Sequence, residues 1–399
     1  MEAISENAQT MADQKVTLHT ILHKIAKERG YVNYKLNVKP ITTGGANYSC
    51  VLFLATIAEN DKDDIKLFNK VACVGEKVRA MSPFQIFESE ICFYNELIKI
   101  YREIEEKHGV PEQERFVTPK FYGFSDEYLH ETLVMEDLTA SGYEMFDRFK
   151  TFDFNYAKEA VRQLAKLHAL SIAFSIESPD EFEEKTAKLK MKNNMDSLSG
   201  VIEGMLKKVM LSLREEFKDR VQLFLKETMT VEKMNYLTKP HRRMVLGHGD
   251  FRASNIMHKM NEDGTYKVII IDYQTLHRTN PILDLVYLIF NGTDQAFRSE
   301  YLQKTIDHYY TELTASLKLF HINPDEVYSR EDFDYDYKEV LPYGLIISFM
   351  LLLLVTVDTE NAPTMTPDSD FESFNMAPSE EYKKRVNELV EDFIKYGIL

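Results

Sequence analysis

Cysteine is scarce in this sequence and has no pattern. Cys50, Cys73 and Cys92 are the only three in 399 residues. They are odd in number and lack metal-ligand spacing, which excludes a disulfide framework or a zinc motif as the organising feature. No secretory n-region or h-region opens the chain, so buried free thiols in a reducing compartment are expected, and a cytoplasmic location with them. An excess of positive charge is also missing. The formal charge of −16 argues against a nucleic-acid-binding surface and against an anionic membrane partner. A nucleotide substrate stays open, because a local lysine and magnesium can reverse the field inside a cleft. Internal repeats and low-complexity tracts are absent. The most apolar run, Leu341 to Val357, falls slightly short of a membrane span, holds Pro342 and Gly344 near its start and lacks a basic flank. It is expected as a buried central helix, without membrane insertion.

What is present is ordinary for a globular chain, with 44% apolar and 28% charged residues and enough length for two domains with ample cores. The informative stretch runs from His248 to Asp272. It begins HGDFRASN and ends VIIIDYQ. Asp250 and Asn255 stand in the D-x-x-x-x-N spacing that protein kinases use for a catalytic base and a metal ligand. Between them and Asp272, Asp263-Gly264 is a two-residue hairpin signal. A hairpin there sends the chain out on Ile256–His258 and back on Tyr266–Ile271, which returns Asp272 to the side of Asn255. One metal could then bridge both side chains and a nucleotide phosphate. Phosphoryl transfer suits such a site, since it needs positioning and charge neutralisation more than covalent help. The competing interpretation is a loop whose Asp and Asn cap turns; a strand-borne Asp272 at the right distance speaks against it.

The rest of the chain supplies candidates in order. Met1 to Lys15 is polar and expected to be loose, and Val16 to Arg29 has helical spacing that stops at Gly30. Tyr34 to Val38 alternates like a strand. A double glycine, Gly44-Gly45, then sits between strand-like runs, where the backbone could approach a phosphate with Asn47, Tyr48 and Ser49 as donors; an ordinary hairpin would use the same residues. Glu59 to Lys66 is expected as a loop and Lys70 to Val78 as a strand, offering Lys77 to a cleft with Lys70 as its rival. Phe84 to Tyr101 is helical, and Glu90, or Glu88 on the other edge of its apolar stripe, could turn inward to hold a lysine. Phe116 to Phe124 and Glu131 to Met135 are strand-like. The second runs into Glu136-Asp137-Leu138, a polar linker whose backbone could meet an adenine edge. Helical patterns follow. Tyr156 to Ser171 places His168 on a core face, and Ser178 to Lys233 is charged and helical. Leu276 to Pro281 is expected as a turn. Asp284, on the helix after Pro281, is expected as a helix-entry carboxylate, with a grip on the catalytic loop as the alternative. Asn361 to Glu380 is polar and proline-punctuated, a mobile excursion before a last amphipathic helix over Glu381 to Tyr396.

Several of these segments together resemble a known family. HGDFRASN with VIIIDYQ is similar to the motifs of the aminoglycoside phosphotransferase and choline kinase group. MEDLTASGY, LAKLHALS, HGDFRASNIM, IDYQ and NPILDLVYLI, with GGANYSCV and FESEICFY before them, resemble in order and spacing the ecdysteroid kinase-like (CHK kinase-like) family. The resemblance covers roughly Lys39 to Leu399. It implies an α+β, two-lobed, protein-kinase-like fold: residues 1–137 as a small lobe with an antiparallel sheet and the Glu90 helix, residues 138–399 as a mostly helical lobe. It also implies ATP- and Mg2+-dependent phosphorylation of a small-molecule alcohol, most of all an ecdysteroid. Choline, ethanolamine or a xenobiotic are alternative acceptors, and a catalytically silent sterol-binding module is a further alternative. Carried over by position, Asp250 is the base and Asn255 and Asp272 are the magnesium ligands. Lys77 holds the α- and β-phosphates and Glu90 orients it. Gly45, Asn47, Tyr48 and Ser49 form the phosphate loop, Glu136 and Leu138 border the base, and His248 braces the catalytic loop. Gly249 and Tyr273 stand where protein kinases have Arg and Phe, which speaks against protein substrates. The segment around Lys77 is less apolar than the family's usual strand.

Overall fold

The structure, a computed structural model, describes residues 2–41, 49–192, 195–357 and 376–399. The expected excursion over Asn361–Glu380 and three of the phosphate-loop candidates, Gly45, Asn47 and Tyr48, therefore lie wholly or mostly outside the described residues.

The N-terminal part begins with helix α1 (Glu2–Glu28), so helix already occupies the segment expected to be loose. Strands β1 (Lys35–Ile41), β2 (Cys50–Ala58) and β3 (Ile65–Ala72) follow, then helices α2 (Glu76–Met81) and α3 (Ile86–Cys92). Helix α3 continues through a π turn, Phe93–Leu97, into α4 (Ile98–Lys107), and strands β4 (Phe121–Ser125) and β5 (Thr132–Glu136) complete the set. The strands form one antiparallel sheet in the order β1-β2-β3-β5-β4. Strand alternation gives it two buried faces. Phe53, Ala55, Leu67, Val71 and Val134 meet Leu18, Leu22 and Ile25 of α1, while Cys50, Leu52 and Ala72 face Val78 and Phe87 on the other side. Lys70 sits mid-sheet, paired with Leu52 on β2 and Leu133 on β5.

Here the strand expected over Lys70–Val78 is present only as far as Ala72. The sheet ends at Ala72, whose N–H donates to Glu131 O, and Gly75 caps the start of α2, its carbonyl accepting from Arg79 N. Arg79 then clamps Glu131 through both terminal nitrogens, at 2.5 and 2.7 Å. Lys77 is consequently an exposed helical residue. At the other end β3 begins at Ile65, inside the expected loop.

Beyond the short 3-10 turn Leu138–Ser141 and strand β6 (Glu144–Met145) the chain is mainly helical: α5 (Phe154–Glu177), α6 (Pro179–Thr186), α7 (Met195–Ser212), α8 (Glu215–Thr228) and α9 (Val231–Thr238). Strands β7 (Val245–Gly247), β8 (Ile256–Met260), β9 (Tyr266–Ile270) and β10 (His277–Thr279) then carry the central motif. Strand β10 pairs with β7, so part of the expected turn after Leu276 is a strand. Helices α10 (Pro281–Gly292), α11 (Gln295–Leu319), α12 (Pro324–Val327), α13 (Arg330–Val355) and α14 (Glu380–Lys395) close the fold. Among the described residues α13 alone is long and apolar enough to cross a membrane, and more than half of its apolar window is buried within the protein. Gly344 makes its packing on α10 possible: a Cβ there would stand 2.7 Å from the Phe290 ring. The two parts make a two-lobed α+β fold.

Candidate active site

The hairpin forms as its turn sequence requires. β8 pairs with β9 from Ile256↔Ile270 to Met260↔Tyr266, and Ile271 N donates to Asn255 O at 3.0 Å. The residue after Ile271 is therefore beside Asn255, and that residue is Asp272. Its φ is +70°, unusual for a residue with a side chain, and such strain persists only where the surroundings over-determine it. Here the constraint is visible on both flanks. Lys70 Nζ donates to Asp272 Oδ1 at 2.6 Å, and the next residue, Tyr273, is fully buried and stacked on Phe93 of the π turn, with centroids 3.4 Å apart.

Lys70 also donates to both oxygens of Glu90, at 2.9 and 2.8 Å. The lysine that meets Glu90 is thus Lys70. The assignment of Lys77 is corrected, because the strand stops before that residue and α2 turns it outward. Glu88 is exposed. All three charges of the Lys70–Glu90–Asp272 cluster are shielded from water, and each feels that burial against its neighbours. Burial pushes Glu90 up to about 7 in spite of Lys70. Burial opposes ionisation of Asp272 too, but Lys70, with Arg252 behind it, holds that carboxyl below its ordinary value. Burial alone would lower Lys70, and the two carboxylates reverse this, so it stays firmly protonated.

The other half of the site is the loop His248–Asn255. His248 is fully buried; its Nε2 contacts Ile271 O at 2.9 Å and its Nδ1 accepts from Asp250 N at 3.2 Å. That pattern describes the neutral Nε2–H tautomer and ties the loop to the strand before Asp272. Gly249 has φ +81°, and a Cβ there would lie 2.4 Å from Thr275 O, so a side chain at this position has neither the conformation nor the room. Asp284 corrects the expectation of a mere helix-entry role. Its carboxylate accepts from His248 N at 2.7 Å, Gly249 N at 2.8 Å and His168 Nε2 at 3.1 Å. His168 is a core residue, held in turn by the Tyr309 hydroxyl at 2.6 Å. Burial works against the Asp284 anion, and these donors together bring its carboxyl below the usual value.

Asp250 is gripped from three sides. Asn255 Nδ2 donates to Oδ2 at 2.9 Å and to the Asp250 carbonyl at 2.8 Å, Arg252 Nε donates to Oδ2 at 3.1 Å, and the Tyr287 hydroxyl donates to Oδ1. With its nitrogen so committed, Asn255 leaves Oδ1 as an open ligand. Asp272 Oδ2 likewise meets no donor among the described residues. Two such oxygens fit magnesium, which binds through one or two side chains plus phosphates rather than an all-protein cage.

Between the two halves opens a cavity of about 890 Å³, counting the space at its mouth. Leu54, Phe68, Met135, Met257 and Ile271 make it apolar, and Lys70, Asn255 and Asp272 stand together in its lining. Glu136 to Thr139 form another wall, so Glu136 and Leu138 do border the cavity. An apolar slot that ends in a lysine and two metal-type oxygens suits a purine ring and its phosphates. Ser49, expected at the phosphates, donates to Gln274 Oε1 at 2.8 Å and so links the end of the glycine loop to the Asp272 segment.

Sequence reasoning missed Arg252, Tyr287 and Gln274 as members of the site and ranked Lys70 second. The signal for Lys70 was its place within the run IKLFNKVA of β3, and Tyr287 lies one helical turn after Asp284.

A model of the ecdysteroid kinase-like family matches residues 44–322. No curated protein matches the sequence. Among solved structures, the GDP complex of a point mutant of aminoglycoside 2′-phosphotransferase-IIIa is 13% identical with a TM-score of 0.50, over 96% of this chain and 98% of that one. The wild-type GDP complex gives 14% and 0.48, over 96% and 99%. A GDP and kanamycin complex gives 13% and 0.49, over 93% and 97%. At such identities the likeness is one of fold, the two-lobed kinase-like fold.

Proposed function

The chain belongs to the ecdysteroid kinase-like family, and from that premise we propose that it transfers the γ-phosphoryl group of ATP, with magnesium, to a hydroxyl of a steroid-like alcohol, an ecdysteroid first among them. It is a small-molecule kinase, a phosphotransferase with an alcohol group as acceptor. The observation that carries the proposal is the joining of Lys70, Glu90 and Asp272 in one buried cluster beside the Asp250–Asn255 loop. In this reading Lys70 holds the nucleotide phosphates, Glu90 orients Lys70, and Asn255 and Asp272 hold the metal, which when bound neutralises charge on the phosphates. Asp250 orients the acceptor hydroxyl and receives its proton. His248 and Asp284 keep the loop in shape. The sheet and α1–α4, up to residue 137, serve the nucleotide, and the helical remainder serves the acceptor. The scarcity of cysteine suits a reducing, cytoplasmic setting.

The charge near Asp250 favours a neutral acceptor. Arg252 is a cation at 14% side-chain exposure directly on the base, and it opposes a quaternary ammonium or polyamine acceptor more than a neutral alcohol. The test is transfer from labelled ATP to a panel of ecdysteroids, sterols, choline and aminoglycosides by the purified protein. Phosphorylated ecdysteroid is the expected product. Transfer to choline or aminoglycosides with ecdysteroids untouched overturns the acceptor assignment, and nucleotide binding without any transfer points to a silent binding module.

A further inference from the structure

Helix α13 keeps one face that the core does not use. From Val340 to Val355 it carries no charge. Most of that stretch is buried, but Tyr343, Ile347, Met350, Leu351 and Leu354 are only half-buried. Steps of three and four residues place them in a row on one face. Ile347, Leu351 and Leu354 stand outside every apolar core among the described residues. Single exposed apolar side chains are ordinary on a protein surface, whereas a continuous apolar row marks a binding surface.

Neighbouring contacts fix where the row begins and ends. Helix α13 runs beside α10 in the same direction: Asp336 accepts from Asn280 Nδ2 at 2.8 Å, and farther on Gly344 lies against Val286 and Phe290. From that contact, one step forward on α10 and one step back on α13 turn to the same side. The first step reaches Tyr287, whose hydroxyl donates to Asp250, and the second reaches Tyr343. The row therefore starts on the side of the base. It ends beside Val355, whose carbonyl accepts from Arg148 Nη1 at 3.0 Å. Arg148 lies over the ring of the exposed Phe149, 4.3 Å from its centroid. Their loop follows directly on Met145, which lines the nucleotide cavity.

We propose that this face of α13 binds the body of the acceptor, a neutral fused-ring alcohol laid lengthwise along it. The proposal rests on the kinase reading above and adds to it the residues that select the substrate. From Tyr343 to Leu354 the row measures about 16 Å at the helical rise per residue. That is room for a rigid ring system whose hydroxyl lies at the Tyr343 end. Uncharged side chains gain by covering such a body, but they offer nothing to a polycation, whose charges would lose water without finding a partner. A rigid body also loses little internal freedom on binding. Ile347, Leu351 and Leu354 are thus the contacts that determine specificity, and Tyr343 marks the end at which the hydroxyl meets Asp250.

The experiment titrates the full-length wild type, Ile347→Gln and Leu351→Gln with an ecdysteroid, a sterol and kanamycin in magnesium and ADP. It also measures KM and kcat for acceptor and for ATP wherever transfer occurs. Glutamine preserves helix propensity on a half-exposed face. Each variant should weaken steroid binding about tenfold or more. Acceptor KM should rise to match, with ATP KM unchanged and kcat retained at saturating acceptor. Leu211→Gln, at an exposed leucine of α7, is the control expected to keep wild-type values. Ile347→Ala removes the contact without adding polarity and carries the test should a glutamine variant not fold. Wild-type steroid affinity and acceptor KM in these variants, in a protein that binds nucleotide, overturn the placement alone. So does a wild type that binds nucleotide but no steroid. A wild type that binds no nucleotide overturns the kinase reading and the placement with it.

Discussion

The lysine side and the base side of the cleft are built on different principles. On the lysine side, Lys70, Glu90 and Asp272 come from three elements and hold one another by charge, each side chain largely buried. On the base side, Asp250 sits in a loop whose backbone is pinned. Asp284 takes the amides of His248 and Gly249, His248 reaches back to Ile271, and Gly249 has space for nothing larger. The lysine side can therefore be altered by moving a proton, whereas the base side can be altered only by breaking its support. The difference suits the tasks: a phosphate-binding cation tolerates small displacement, but an acceptor hydroxyl must lie in line with the phosphorus.

Five variants break or sharpen this contrast. The largest effect on turnover is expected for Asp250→Asn, which keeps the shape and loses the basicity. Transfer falls by about 100- to 10,000-fold with nucleotide affinity nearly unchanged, and a large loss of ATP affinity in calorimetry would show that Asp250 serves the nucleotide instead. Next comes Lys70→Met, with a loss of about 100- to 1,000-fold, beside a Lys77→Met that behaves as wild type. Should the Lys77 variant be the crippled one, the register of β3 is wrong.

Asp284→Ala tests the base side by stability. It strands two loop amides and His168 Nε2, so unfolding free energy should drop by about 3–5 kcal/mol, read from the urea midpoint; a stable variant with an intact loop would remove Asp284 from the support. The smallest effect is expected for Glu90→Gln, and it lies in the pH profile. Burial raises the Glu90 carboxyl to about 7, so as pH falls through that value Glu90 takes up a proton and stops attracting Lys70. The specificity constant for ATP should then decline on the acid side in wild type, and the decline should be missing from the uniformly slower Glu90→Gln. A wild-type profile without that acid limb would mean that Glu90 is ionised throughout.

How legible this was depends on distance along the chain. Asp250, Asn255 and Asp272 could be found because a short loop and a hairpin with an Asp-Gly turn relate them, and local rules govern both. Glu90 could be placed on its helix by periodicity but not paired. Lys70 could not be separated from Lys77, because the end of β3 is decided by Glu131, whose carbonyl takes the Ala72 amide and whose carboxylate clamps Arg79. No local pattern around Lys77 announces a partner so far along the chain. Arg252 and Tyr287 went unnoticed for a related reason: neither type at its position signals chemistry until Asp250 is seen between them.

By itself the sequence determined the element types over most of the chain, the catalytic loop and its hairpin, and the kinship that names the chemistry, since each depends on residues near one another in order. The tertiary structure alone decided which lysine enters the cleft, which carboxylate braces the loop, and which cation shares the base. Those are choices among chemically equivalent side chains, and only burial against distant partners distinguishes them, because a charge removed from water persists where an opposite charge or donor meets it.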